Sequence, residues 1–102
     1  MAVIRRGRHS RQRLARLAAR GNELPHNRYG FAVGKRVGGA VVRNRTKRRL
    51  REIMHTLPLT PGHDMLVTAE PACAYASFSE LSRAIEECAR RSGLLRTAQS
   101  SQ

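Results

Sequence analysis

The sequence contains few of the residues from which large cores, disulfides and membrane segments are built. Its 102 residues include no Trp, two Phe, two Tyr and two Cys. No apolar run approaches the roughly 18 residues of a membrane-spanning helix, and no apolar stretch follows the basic start of the chain, as a secretory signal requires. We therefore expect a cytoplasmic protein with one domain over residues 1–95 and a disordered polar tail over residues 96–102.

Motifs for catalysis and for metal binding are also missing. Cys73 and Cys88 form no C-x-x-C motif, and no histidine has metal-ligand spacing with them, which argues against zinc. The sequence has no Ser-His-Asp or Cys-His signature and no phosphate-binding G-x-x-x-x-G-K-[ST] loop. We expect two small buried cysteines, no catalytic residue, and no metal or cofactor bound by the protein itself.

Acidic residues are scarce and unevenly distributed. The chain has 20 Lys and Arg against seven Asp and Glu, a net charge of +13. Sixteen of the basic residues but only two of the acids, Glu23 and Glu52, lie in residues 1–57. A polyanion neutralises such an excess, and guanidinium groups bind phosphate well. The composition therefore favours nucleic acid as the partner over a membrane surface, for which this half lacks apolar anchors.

Hydrophobic periodicity predicts strands and helices in alternation. Residues 29–37 alternate as a half-buried strand, and the nearly continuous apolar run of residues 64–69 predicts a buried central strand. Ser77 and Glu80 have the spacing of a capping box, which predicts that a last helix begins there. Residues 5–20 have helical spacing but marginal length.

The region after the Gly38-Gly39 pair predicts a helix with two unlike sides, from about residue 43 to residue 57. At about 100° per residue, its residues fall into an apolar side, an opposite side and two flanks. The apolar side consists of Thr46, Leu50, Ile53, Met54 and Leu57. The opposite side consists of Asn44, Arg48, Arg51 and Glu52. The flanks of this opposite side carry Arg43, Arg45, Lys47 and Arg49. Like charges four residues apart cost a few tenths of a kcal/mol each, which a phosphate backbone alongside would relieve. The two glycines supply backbone freedom, and we expect Val at either position to impair folding.

Two collinear blocks carry a resemblance to a known family. The first block, residues 30–52, combines an alternating strand, a glycine-containing connection and the helical sequence R-N-R-x-K-R-x-x-R-E. The second block follows it along the chain and contains P-G-H-D-M-L-V-T-A and then S-F-S-E-L. Residues 28–95 resemble the protein subunit of bacterial ribonuclease P. The resemblance implies an α+β fold, a small two-layer sandwich with a sheet of about four strands, helices packed on it and a left-handed crossover into the basic helix. A left-handed crossover is unusual, because connections between parallel strands of one sheet are almost always right-handed.

The resemblance also implies a function. In that family an RNA is the catalyst and removes the 5′ leader of precursor tRNA with bound Mg²⁺, while the protein binds this RNA and holds the single-stranded leader in a cleft of the sheet. RNA contacts are implied at Arg43, Asn44, Arg45, Lys47, Arg48 and Arg51, and we add Lys35 and Arg36. Tyr29 and Phe31 are candidates for the leader cleft, with core packing as the alternative. The expected partners are the catalytic RNA and precursor tRNA, with no membrane and no stable homo-oligomer.

The start of the chain departs from the family pattern. Family members begin with a helix whose aromatic residues line the cleft, whereas no aromatic residue precedes Tyr29. We therefore expect either that the usual N-terminal helix is absent or that translation starts upstream of Met1. The family's first strand corresponds to residues 13–20, with a cleft aromatic at the position of Leu17 or Ala18. We expect a strand there, because sheet pairing can override helix propensity.

Other classes of nucleic-acid-binding protein stay open as alternatives. Residues 28–33 partly match the aromatic strand of an RNA-recognition motif, which also needs a second aromatic strand upstream. A ribosomal or DNA-binding protein is the other alternative. Sequence-specific DNA binding needs side chains that read base edges, whereas Arg and Lys dominate the predicted helix and suit backbone contacts. The alternative function is a general RNA-binding module with no role in cleavage.

Overall fold

A computed structural model describes residues 7–96 of the chain. The elements are β1 (Arg8–Arg11), β2 (Ala15–Gly21), β3 (Arg28–Ala32), α1 (Ala40–Thr56), β4 (His63–Ala69) and α2 (Phe78–Arg91), with a 3₁₀ helix at Pro71–Tyr75. The predicted α+β class with a four-stranded sheet is confirmed. Neither helix of the described part has the length and hydropathy needed to cross a bilayer. The predicted tail lies outside the described residues from residue 97 onwards.

The sheet has the strand order β1-β2-β4-β3. β4 is antiparallel to β2 and parallel to β3, so the predicted central strand is confirmed. Because parallel neighbours need a crossover connection, α1 has to carry the chain from the end of β3 back to the start of β4. The hand of this crossover stays a prediction.

β2 lies in the segment whose composition favours a helix. Ala15, Leu17 and Ala19 are fully buried, while Arg16 and Arg20 alternate with them and are exposed. β2 pairs along its length with β4 and also with β1. The hydrogen bonds to a strand on each side of β2 and the burial of every second side chain outweigh the helix propensity of this segment. The strand implied by the resemblance is confirmed, whereas β1 was not predicted.

β3 ends at Ala32, five residues earlier than the alternation predicts. Its last pairing joins Ala32 to Thr68, one residue before the end of β4. The chain then turns, with the Gly38 amide donating to the Lys35 carbonyl at 3.2 Å. The prediction of a strand over residues 33–37 is therefore wrong, because the neighbouring strand ends.

α1 begins at Ala40, three residues before the predicted start, and Gly39 is its N-cap. The buried residues of α1 are those predicted for its apolar side: Thr46, Leu50, Ile53 and Met54. Leu57, the C-cap, is half-buried. The apolar side of α1 packs into one core with residues from a single face of the sheet. Leu17 and Val67 belong to this core and are paired across β2 and β4. Burying a Leu or Ile side chain contributes about 1.5–3 kcal/mol, so docking outweighs repulsion among the cations of α1.

α2 opens with the predicted capping box. The Glu80 amide donates to Ser77 Oγ at 3.1 Å, and the Ser77 amide donates to Glu80 Oε1 at 2.8 Å. The helix buries Leu81, Ile85, Cys88 and Ala89 against the same core. Cys73 and Cys88 are both free and buried, as predicted, and burial raises the pKa of each thiol.

The glycine pair before α1 gives a matched test of backbone strain. Gly38 has a φ of +156°, and a Cβ there would lie 2.9 Å from the Val42 Cβ, whereas a Cβ on Gly39 would meet nothing within 4 Å. We expect Gly38→Ala to lower the free energy of unfolding by about 1–3 kcal/mol. Gly39→Ser should leave it unchanged or raise it by up to about 1 kcal/mol, because serine adds a cap hydrogen bond that α1 lacks. Equal losses of the two variants in urea unfolding would contradict this distinction.

The carboxylate of Asp64 ties the start of β4 to β3. Arg28 donates to its two oxygens at 2.7 and 2.8 Å, and Asn22 Nδ2 donates at 3.0 Å. The hydrogen bond from Arg28, followed by the one from Asn22, lowers the pKa of Asp64 from 3.8 to about 2.

This lowered pKa predicts a stability change at acid pH. The stabilising contribution of the carboxylate is complete above the unfolded-state pKa of about 4 and is lost as the pH falls through the folded-state pKa. We expect the urea midpoint of the wild type to fall more steeply between about pH 4 and pH 2 than that of Asp64→Asn, whose amide does not titrate. Parallel curves for the two proteins would show that Asp64 does not couple folding to protonation.

Candidate nucleic-acid interface

One side of α1 presents cations to solvent. The helix contains five Arg and one Lys, with Glu52 as its one acid. Because the apolar side is buried on the sheet, Arg45, Lys47, Arg48 and Arg51 are exposed. Within residues 7–96, none of these four forms an ion pair. We call these four residues the cation strip; its positive charge is available to an external anion.

Two further cations of α1 turn partly towards the protein. Arg49 is half-buried, and its Nη1 donates to the Ala76 carbonyl at 3.2 Å. Arg43 is also half-buried, and its Nε is buried without a hydrogen-bond partner among the described residues. A buried donor without a partner is costly, and a phosphate near the start of α1 would supply one. Arg43 therefore differs from the exposed cations with which the sequence groups it.

Arg51 is held over the edge of the sheet by an aromatic ring. Its Cζ lies 5.9 Å from the centroid of the Phe31 ring, which in turn stacks with Tyr29 at 6.5 Å and 21°. Tyr29 and Phe31 pair with the buried Met65 and Val67, so they lie on the sheet face that carries the helices. An RNA-recognition motif stacks bases on aromatic residues of the open sheet face. The placement of these rings therefore argues against that class.

The remaining predicted RNA contacts adjoin the start of α1. Lys35 and Arg36 are exposed in the turn that precedes the helix. Asn44 is exposed on the second turn, and its side chain makes no hydrogen bond within the described part of the chain. Since Gly39 is the N-cap of α1, the Asn44 side chain does not cap the helix and is free to contact a ligand. RNA binding by these three residues stays a prediction.

A groove of about 540 Å³ lies on the opposite face of the sheet. Its lining residues come from all four strands: His9, Ser10, Arg11, Arg16, Leu17, Ala18, Ala32, Leu66 and Thr68. The two positions expected to match the family's cleft aromatic, Leu17 and Ala18, are both among them. Tyr29 and Phe31 are not, because they point to the helix-bearing face. A strand lying in this groove would not contact these two rings.

A half-buried acid positions the two arginines of the groove. Glu70 directly follows β4, and its side chain is 17% exposed; its Oε2 lies 2.8 Å from Arg16 Nε and 3.8 Å from Arg11 Nε. Sequence reasoning missed these arginines as site residues. The available signal was the alternation of Arg16 with buried Ala15 and Leu17, which indicates the open sheet face once β2 is known to be a strand.

The chemistry of these surfaces is that of anion binding. Guanidinium groups on α1 and in the groove can bind phosphate oxygens by charge-assisted hydrogen bonds. Within residues 7–96, no three His, Cys, Asp or Glu side chains come close enough to hold a metal ion.

Comparisons with known proteins all identify the same family. The family model described as Ribonuclease P matches residues 1–93. The ribonuclease P protein component of Thermus aquaticus is 42% identical over 92 residues, covering 90% of this chain and 55% of that protein. The corresponding protein of Acidothermus cellulolyticus is 46% identical over 84 residues, covering 78% of this chain and 70% of that protein. The chain spans about half the length of the Thermus relatives that it matches.

Solved structures share the fold. The RNase P protein of Staphylococcus aureus superposes with a TM-score of 0.81 at 23% identity, covering 93% of this chain and 89% of that one. The RNase P protein of Thermotoga maritima gives 0.79 at 21% identity, covering 87% of this chain and 86% of that one. The four-stranded sheet with its two helices is thus an architecture also found in these proteins.

Proposed function

The chain belongs to the ribonuclease P protein family, and on this premise we propose that it is the protein subunit of a cytoplasmic ribonuclease P, which binds the catalytic RNA and assists removal of the 5′ leader from precursor tRNA. The observation that carries the proposal is the cation strip of α1, exposed and free of ion pairs within the described residues. Catalysis and the Mg²⁺ that it uses belong to the RNA in this proposal. The protein supplies binding and positioning.

The cation strip suits an RNA backbone better than base edges. Arg48 and Arg51 are exposed along one side of a rigid helix, and the Phe31 ring orients the Arg51 guanidinium. Each phosphate that such a cation neutralises releases condensed counterions, which favours binding at low salt. The affinity is therefore expected to depend on RNA shape and salt more than on sequence.

The groove on the opposite sheet face suits the single-stranded leader. Its floor is formed by small or aliphatic residues such as Ala18, Ala32 and Leu66, with Arg11 and Arg16 at one end. Because no Phe, Tyr or Trp lines it and His9 is the one ring among its lining residues, we propose that it binds the leader mainly through sugars and phosphates rather than by base stacking. The sheet would then separate the catalytic RNA on the α1 side from the leader on the other.

Removing two cations from α1 tests the RNA-binding part of the proposal. We expect Arg48→Ala with Arg51→Ala to weaken binding to the catalytic RNA by at least about tenfold. The slope of log K against log salt should fall by up to about two units, because two phosphate contacts are lost. Filter binding across a salt series measures both quantities.

A charge-matched variant provides the control. Arg90→Ala with Arg91→Ala removes the same charge from α2, where both arginines pair with Glu86 or Glu87, and should leave affinity and slope near the wild-type values. Equal effects of the two double variants would mean that net charge alone drives binding and that α1 is not the interface.

Leader binding has a separate test. We expect Arg11→Gln with Arg16→Gln to reduce the preference of the holoenzyme for precursor tRNA over leaderless tRNA by about tenfold, because the groove loses both phosphate ligands. Affinity for the catalytic RNA should stay unchanged, since these residues lie on the other sheet face. An unchanged preference, measured by competition between the two tRNAs, would exclude the groove as the leader site.

A further inference from the structure

Tyr75 is the most exposed aromatic residue of the chain. Of the four aromatic side chains, Tyr29 and Phe31 are half-buried and stacked on each other. Phe78 is 36% exposed, whereas Tyr75 is 94% exposed. A ring with almost its whole surface in water adds nothing to the core. Its position is therefore explained by neither packing nor hydrogen bonding within the described residues.

The backbone beneath this ring is held firmly. Tyr75 ends the 3₁₀ helix, whose Cys73 is 2% exposed in the core. The Cys73 amide donates to the Glu70 carbonyl at 2.9 Å, and the Ala76 amide donates to the Cys73 carbonyl at 3.2 Å. Since the segment is ordered before any ligand arrives, a partner that covers the ring has little backbone entropy to overcome.

The segment that carries Tyr75 borders the cations of α1. The Arg49 guanidinium donates to the carbonyl of Ala76, the residue directly after Tyr75. Arg45 lies one helical turn before Arg49 on the same side of α1 and is exposed. An exposed aromatic ring together with nearby guanidinium groups is an arrangement with which proteins bind single-stranded nucleic acid. The positive surroundings favour an RNA over a second copy of this basic chain.

We propose that Tyr75 stacks on an unpaired base of the same RNA that the cation strip binds, so that the RNA interface continues from α1 onto the 3₁₀ helix. This inference rests on the proposed function. Arg45 and Arg49 contact the phosphates that flank the stacked base. Because every base presents a π-face, the contact tolerates different bases and requires only that the nucleotide is unpaired.

Three substitutions of Tyr75 separate stacking from other contributions. We expect Tyr75→Ala to weaken binding of the chain to the catalytic RNA by about 5- to 100-fold. Tyr75→Phe keeps the ring and should stay within about twofold of the wild type, while Tyr75→Leu keeps apolar surface without a π-system and should behave like alanine. The salt slope should not change in any of them, because the side chain is neutral.

A direct reporter accompanies the affinity measurements. The chain has no Trp, so Tyr75→Trp introduces a single indole, which can be excited selectively. We expect its emission to be quenched when the RNA binds and to recover when salt dissociates the complex. Emission that stays constant on binding would show that the side chain remains in solvent and would overturn the inference.

The outcomes distinguish this inference from the function on which it rests. If Tyr75→Ala binds like the wild type while the Arg48 and Arg51 double variant is weakened, Tyr75 is not a contact and the proposed function stands. If neither variant is weakened, α1 does not bind this RNA and both proposals fail. If Tyr75→Leu binds like the wild type, residue 75 does not contribute by stacking and the inference fails. If sedimentation shows a dimer that Tyr75→Ala dissociates, the ring contacts a second copy of this chain instead.

Discussion

The docking of the apolar side of α1 on the sheet determines the direction of every cation on that helix. Leu50 and Ile53 are fully buried, so the helix cannot rotate without exposing them. Arg48 and Arg51 therefore have to face solvent, where they repel Lys47 and Arg45. An isolated helix with this charge pattern would be weakened by like pairs four residues apart. The core thus maintains a charge distribution that α1 would not favour by itself, and that distribution is what an RNA backbone can bind.

The sheet keeps the two surfaces that we propose for RNA binding apart. The helices pack on the face of Leu17 and Val67, while Ala18 and Leu66 alternate with these residues and line the groove on the other face. This separation follows from the period of two in a β-strand, in which neighbouring side chains point to opposite faces. A subunit with this construction can hold one RNA segment on α1 while a second lies in the groove. The two segments need not compete, because no single side chain has to serve both.

Patterns along single elements were sufficient to predict much of the fold, including the buried side of α1, the capping box at Ser77 and the exposed positions of Arg48 and Arg51. The errors arose where pairing between distant segments decides the structure. Residues 33–37 leave the sheet because β4 ends at Ala69, which no local pattern in β3 reveals. The groove could not be predicted because its residues come from four strands, and the face towards which Tyr29 and Phe31 point follows only from their pairing with Met65 and Val67. Because β2 has alanine on both of its faces, the alternation of buried and exposed residues along this strand is not evident from the sequence.

The positions of the few acids indicate which arginines remain available for RNA. Asp64 holds Arg28, and Glu86 and Glu87 hold the arginines at the end of α2, whereas Glu70 orients Arg16 and leaves its side chain 51% exposed at the groove. All of these pairs stabilise the sheet or α2, and none involves the cation strip of α1. A net charge of +13 says only that the chain favours polyanions, since it does not show where on the surface the unpaired cations lie. Within residues 7–96, cations that are exposed, unpaired and fixed by the core are concentrated on the outer side of α1, and for this reason we propose that side as the interface with the catalytic RNA.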